Sequence, residues 1–201
     1  MRRGGDFMIL LDRNELMSTR MSGSEDALGM LTCARLARVV APRVLIGGYG
    51  MGFTLRAVLR ALGADAQVTV AELVPDIIDW ARGPMAALTA GCLDDPRVAT
   101  RIEDVRDAIA RGGWNAILLD VDNGPDGLTR AGNDGLYTRA GLMAARAALI
   151  PGGVLAVWSA APDEAFARRL TAAGLAVDEV RVRARQNGKG PQHVIWFARR
   201  D

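Results

Sequence analysis

The sequence holds one histidine, His193, two cysteines, Cys33 and Cys92, and a single lysine, Lys189, among 201 residues. One histidine and two widely separated cysteines match no standard zinc-ligand spacing, so no metal ligand is assigned. Both cysteines read as small buried or half-buried residues. No apolar run reaches the length of a bilayer span, and Met1 to Asp6 are not followed by the apolar stretch and cleavage site of a secretion leader. The expectation is a soluble, cytoplasmic protein with no membrane partner. A strong charge of either sign is missing too: the formal net charge is +2, with acids and bases interspersed, so nucleic acid is not expected as a partner.

What the chain does have is apolar residues, 50% of the total, enough for one well-filled domain and a short extension. Phe7 to Asp12 read as a strand. Ser24 is placed as the N-cap of a helix with Glu25 and Asp26 in its first turn, running toward Ala41. From Val44 onward strands and helices alternate. Strands are expected at Arg43–Ile46, Gln67–Leu73, Val98–Ile102, Trp114–Val121 and Val154–Trp158, with helices from Phe53, Pro75, Asp104, Tyr137 and Asp163. Val177–Ala184 and Gln192–Ala198 alternate as two strands of a terminal hairpin. The expected fold is α/β: a doubly wound, mostly parallel seven-stranded sheet with a C-terminal antiparallel hairpin. Residues 1–41 form a short strand-and-helix extension, and residues 42–201 form a nucleotide-binding domain.

The first of those units, VLIGGYGMGFTLR at Val44 to Arg56, carries the chemistry. An apolar strand runs into a glycine cluster and then into a helix, a turn whose glycines let backbone N–H groups approach a nucleotide. Its spacing, Gly48-x-Gly50-x-Gly52, is tighter than the dinucleotide pattern and lacks the Lys-Ser/Thr of a phosphate loop. In an open α/β sheet a ligand lies beyond the carboxyl ends of the strands. Carboxylates follow three of four consecutive apolar strands there. Glu72, roughly twenty residues after the turn, suits a ribose diol. Asp104 suits an exocyclic amine, since a carboxylate only accepts hydrogen bonds. Asp120 and Asp122 suit holding an amine or removing its proton. His193 is placed mid-strand, far from the ligand end, and is read as structural. Met17, Met21 and Met30 read as core or as lining for an acceptor.

On these residues the chain resembles the class I S-adenosylmethionine-dependent methyltransferase fold and, within it, the spermidine synthase family of aminopropyltransferases. Gly48, Gly50, Gly52, Thr54, Leu55 and Arg56 match that family's glycine stretch. Val70 to Pro75 is similar to its V-E-I-D-P segment, and Asp94-Asp95-Pro96-Arg97-Val98 matches its D-D-P-R-V. The resemblance implies a cofactor site of Gly48, Gly50, Gly52, Glu72, Leu73, Asp104, Val105 and Asp120, with Asp120 and Asp122 catalytic. It implies S-adenosylmethionine or its decarboxylated form as cofactor and a small-molecule amine or other small acceptor as partner; a homodimer is left open. Tyr137 matches an aromatic of the family, with ligand-facing and core positions both open. The departures are specific. Met51 stands where the family has an Asp that holds the aminopropyl amine, Asn123 where it has the second active-site Asp, and the N-terminal β-domain is shortened. Methyl transfer and a non-catalytic nucleoside-binding or assembly module are the alternatives.

Overall fold

The computed structural model describes residues 1–11, 14–121, 124–125 and 134–201. The N-terminal segment forms a small antiparallel sheet, β1 (Arg2–Arg3), β2 (Asp6–Leu11) and β3 (Asn14–Ser18), followed by helix α1 (Gly23–Arg35). Five parallel strands come next: β4 (Arg43–Gly47), β5 (Gln67–Glu72), β6 (Val98–Ile102), β7 (Trp114–Leu119) and β8 (Leu149–Ser159). β9 (Ala176–Arg183) and β10 (Gln192–Arg199) close the sheet as a hairpin. The order is β6-β5-β4-β7-β8-β10-β9, with β10 antiparallel to both of its neighbours. This is the expected seven-stranded, mostly parallel sheet. Its topological switch point lies between β4 and β7, where successive crossovers lead to opposite edges.

The helices are α2 (Phe53–Ala61), α3 (Pro75–Arg82), α4 (Ala86–Thr89), α5 (Val105–Ala110), α6 (Asp134–Tyr137), α7 (Arg139–Ala148) and α8 (Glu164–Ala172). Their starts follow local chemistry. Pro75 occupies the first turn of α3, where its missing N–H costs nothing. Asp104, Thr138 and Asp163 each accept a backbone N–H of the helix they precede. Thr138 therefore divides the helix expected from Tyr137 to Leu149 into α6 and α7. β8 begins five residues before the expected Val154, because Gly152 donates to the carbonyl of Arg200 and Arg200 donates back to Gly153.

The central strands are buried on both faces, and β7 is buried at all six positions. Ala116 and Leu118 face one apolar cluster with residues of α1, α2 and α3, while Ile117 and Leu119 face another with α5, α7 and α8. Each fully buried Leu or Ile contributes roughly 1.5–3 kcal/mol over exposure, so the switch point stands on the best-packed part of the sheet. Among the described residues no helix is long and apolar enough to cross a membrane.

One boundary is corrected. The N-cap position of α1 is Ser22, not Ser24. Gly23 donates to the carbonyl of Ala184 on the terminal hairpin, which places Ser24 inside the first turn with its hydroxyl directed to Glu25 and His193.

Candidate functional site

At the end of β4 the chain turns through Gly48, Gly50 and Gly52 at φ +85°, +55° and +75°, a region that favours glycine. A Cβ on Gly48 would stand 2.5 Å from the carbonyl oxygen of Asp120, so only glycine lets β4 and β7 end this close together. Gly50 lies under Met17 of β3, whose methyl carbon would be 2.7 Å from an added Cβ. Met17 therefore sits on the turn. Met51, which takes the place of the family's Asp, is buried in the apolar cluster on the α1 and α2 side.

On the β4–β6 side the acids are already held by the protein. Glu72 is buried, and its two oxygens accept the N–H groups of Tyr49 and Val74, each at 2.9 Å. Each oxygen keeps a lone pair for a further donor. Asp104 is more committed. Oδ1 accepts from the N–H and Nε of Arg106 at 2.8 and 3.1 Å, and Oδ2 from Nε and Nη2 at 3.1 and 2.6 Å. The Arg106 guanidinium holds this carboxyl below its usual range, and an adenine amine would have to displace it. Arg111 holds Glu103 low in the same way. Leu73 and Ile102 are exposed at the ends of β5 and β6 and form an apolar rim. The Val105 side chain is buried against Gly47.

The β7–β10 side is different. Asp120, at the end of β7, accepts the Thr54 hydroxyl at 2.7 Å. Thr54 Oγ1 also lies 3.4 Å from the carbonyl of Glu25 on α1. The Ser24 hydroxyl is 2.7 Å from Glu25 Oε2 and 2.9 Å from His193 Nδ1. His193 corrects an expectation: because β10 runs antiparallel to β8 and pairs Val194 with Ser159, its start lies at the carboxyl end of the parallel strands, the ligand end. The His193 ring meets Trp158 edge-on at 4.9 Å, and Trp158 Nε1 is buried with no hydrogen-bond partner among the described residues.

No arginine or lysine among the described residues pairs with Asp120 or Glu25. Burial pushes the Glu25 carboxyl up to about 8, and the Asp120 charge adds to this. Burial pushes Asp120 up to about 6 against the opposing hydrogen bond from Thr54. Burial lowers His193. Burial thus biases both carboxyls toward their protonated forms.

Asp122, Asn123 and Asp126 lie outside the described residues. Tyr137 takes the core position: it is buried, its ring meets Phe166 edge-on, and its hydroxyl donates to the carbonyl of Val121 at 3.3 Å. Cys33 and Cys92 are buried, as their reading required. Sequence reasoning missed the part played by Ser24 and His193. The signal was the alternation of β10, which puts His193 on the face of Ile195 and Phe197, together with the antiparallel return that starts β10 where β8 ends.

No family model matches the sequence. The chain is 35% identical over 129 residues to a polyamine aminopropyltransferase of Mycobacterium tuberculosis, covering 61% of this chain and 23% of that protein. It is 34% identical over 122 residues to a polyamine aminopropyltransferase of Nitrosomonas europaea, covering 60% and 36%. The match thus spans about a quarter to a third of those relatives. Among solved structures, spermidine synthase from Thermotoga maritima superposes with a TM-score of 0.75 at 20% identity, over 96% of this chain and 65% of that one. A spermidine synthase in complex with the transition state analogue AdoDATO gives 0.74 at 20% identity, over 96% and 64%. An O-methyltransferase family protein from Burkholderia thailandensis gives 0.58 at 18% identity, over 89% and 55%. At these identities the structures establish the fold alone, one shared by spermidine synthases and an O-methyltransferase family protein.

Proposed function

We propose that this chain binds decarboxylated S-adenosylmethionine and transfers its aminopropyl group to a small amine. The supporting observation is Asp120. A desolvated carboxyl, fixed by Thr54, stands at the switch point beside the glycine turn, at the position where the resembling family keeps its first active-site Asp. The name of the curated relatives points the same way.

In this reading the backbone of Gly48, Gly50 and Gly52 packs against the nucleoside, and Glu72 accepts from the ribose hydroxyls. Leu73 flanks the adenine, Val105 contributes only backbone, and Asp104 takes the adenine amine in exchange for Arg106, which is 53% exposed and free to swing out. An ammonium acceptor loses one proton to Asp120: the N–H bond breaks, its electron pair stays on nitrogen, and an O–H bond forms. That pair then attacks the carbon next to the sulfonium, and the C–S pair returns to sulfur as a neutral thioether. Alignment and deprotonation are the whole demand, and no covalent enzyme intermediate is required. Asp122 is a second candidate for holding the amine. The reading carries with it a cytoplasmic site of action and a homodimer, the latter measurable by light scattering.

Methyl transfer from S-adenosylmethionine is the second reading, and Met51 favours it. An apolar, buried side chain replaces the carboxylate that would hold an aminopropyl amine. Mass spectrometry of reactions with each donor and a panel of mono- and diamines separates the two. Methylthioadenosine formed from the decarboxylated donor supports the proposal. S-adenosylhomocysteine formed from the intact donor supports the second reading instead.

A further inference from the structure

We propose that Glu25, Ser24 and His193 form a buried proton relay coupled by charge to Asp120, which discharges when Asp120 takes the acceptor's proton. The source of that proton rests on the transfer reading above; the relay itself rests on geometry. Ser24 has one hydroxyl proton and stands within hydrogen-bond distance of Glu25 Oε2 and His193 Nδ1 at once. Whichever of them it donates to, the other must donate to it. The chain therefore has two arrangements that differ only in which end carries the proton. All three residues are buried.

The surroundings keep that proton in place. Thr54 of α2, Asp120 of β7 and Trp158 of β8 face the chain from the elements packed on it, and none supplies a cation. On α1 itself, Asp26 is occupied by Gln186 and Arg60. Burial favours the protonated form of Glu25, and with Asp120 ionised its charge adds to this. Once Asp120 is protonated by the acceptor, the charge part of that bias is gone while the burial part stays. The Glu25 O–H bond then breaks, Ser24 takes that proton, and the Ser24 proton passes to Nδ1. This leaves a Glu25 carboxylate and a His193 imidazolium bridged by the serine. The proton leaves to solvent at the exposed start of β10, where Pro191 and Gln192 lie. In this scheme Glu25, Ser24 and His193 are positioning residues for the protonation state of Asp120.

Because His193 is the sole histidine, its ring nitrogens give an unambiguous NMR probe in the full-length, ligand-free protein labelled with ¹⁵N-histidine. The ring signals should show a step near pH 8 as Glu25 ionises. Glu25→Gln should abolish the step, Ser24→Ala should remove it from a protein that still gives a dispersed spectrum, and Asp120→Asn should move it to lower pH. A step that survives Glu25→Gln, or a ring indifferent to Ser24→Ala, overturns the relay. In the transfer assay His193→Gln should lower kcat about tenfold while KM for the donor stays within twofold. An equal loss in both parameters overturns the positioning role. If the wild-type protein forms no product, the transfer reading fails, and the ring titration decides the relay by itself.

Discussion

The two sides of the switch point carry acids at equivalent places and treat them oppositely. Beyond β5 and β6, Glu72 is gripped by backbone N–H groups, and Glu103 and Asp104 by arginines that hold them low. On the other side, Asp120 beyond β7 and Glu25 of α1 are buried, pair with no arginine or lysine among the described residues, and are pushed up. Charges that are satisfied before a ligand arrives suit recognition of a neutral nucleoside. Carboxyls that hold protons loosely near neutrality suit proton transfer. On the proposed reading, one fold makes a binding half and a reacting half by changing what each acid touches.

The contrast predicts a ranking of effects. Asp120→Asn should reduce kcat at least a hundredfold, with donor affinity within a few-fold, measured by product formation and calorimetry side by side. Glu72→Ala should weaken donor binding by at least tenfold, about 1.4 kcal/mol, because it removes the diol acceptor and leaves the N–H groups of Tyr49 and Val74 unpaired. An unchanged affinity would take Glu72 out of the site.

Stability should depend on pH with opposite signs from the two halves. Glu25 and Asp120 have folded values raised above the ordinary 4.5 and 3.8. Between those ordinary values and about 8 and 6 the native state holds protons that the unfolded chain has released, so stability falls as pH rises through that window. Glu103 and Asp104 act in the other sense: their contribution is present above their ordinary values and is lost as pH falls through the lowered ones. Tm should therefore drop between pH 5.5 and 8.5, and Glu25→Gln should remove most of that drop. A wild-type Tm that rises toward pH 8.5 would contradict the burial argument. The smallest effect should come from Arg111→Ala, whose exposed ion pair with Glu103 is screened by solvent, leaving Tm unchanged within error.

Much of this was legible in the residue pattern. The apolar runs at Val44, Gln67, Val98, Trp114 and Val154 set the parallel strands, because strands covered on both faces read as continuous hydrophobic segments. The glycine turn and the acids after the strands followed from the rule that ligands lie at carboxyl ends. What could not be read was long-range. Asp104 looked available because its partner, Arg106, reads as an ordinary surface arginine. Ser24 looked like a cap because caps are judged from local sequence, whereas its role is fixed by β10, 169 residues away. His193 was misplaced by direction alone: the histidine sits at the ligand end because the last strand enters the sheet in reverse.

The central claim is that this site takes the decarboxylated donor, and calorimetric titration tests it most directly. The purified protein should be titrated in parallel with decarboxylated S-adenosylmethionine, the intact molecule and methylthioadenosine. The decarboxylated donor and methylthioadenosine should bind more tightly than S-adenosylmethionine. Preference for the intact molecule would contradict it in favour of methyl transfer, and no binding of any of the three would reduce the glycine turn to a structural feature.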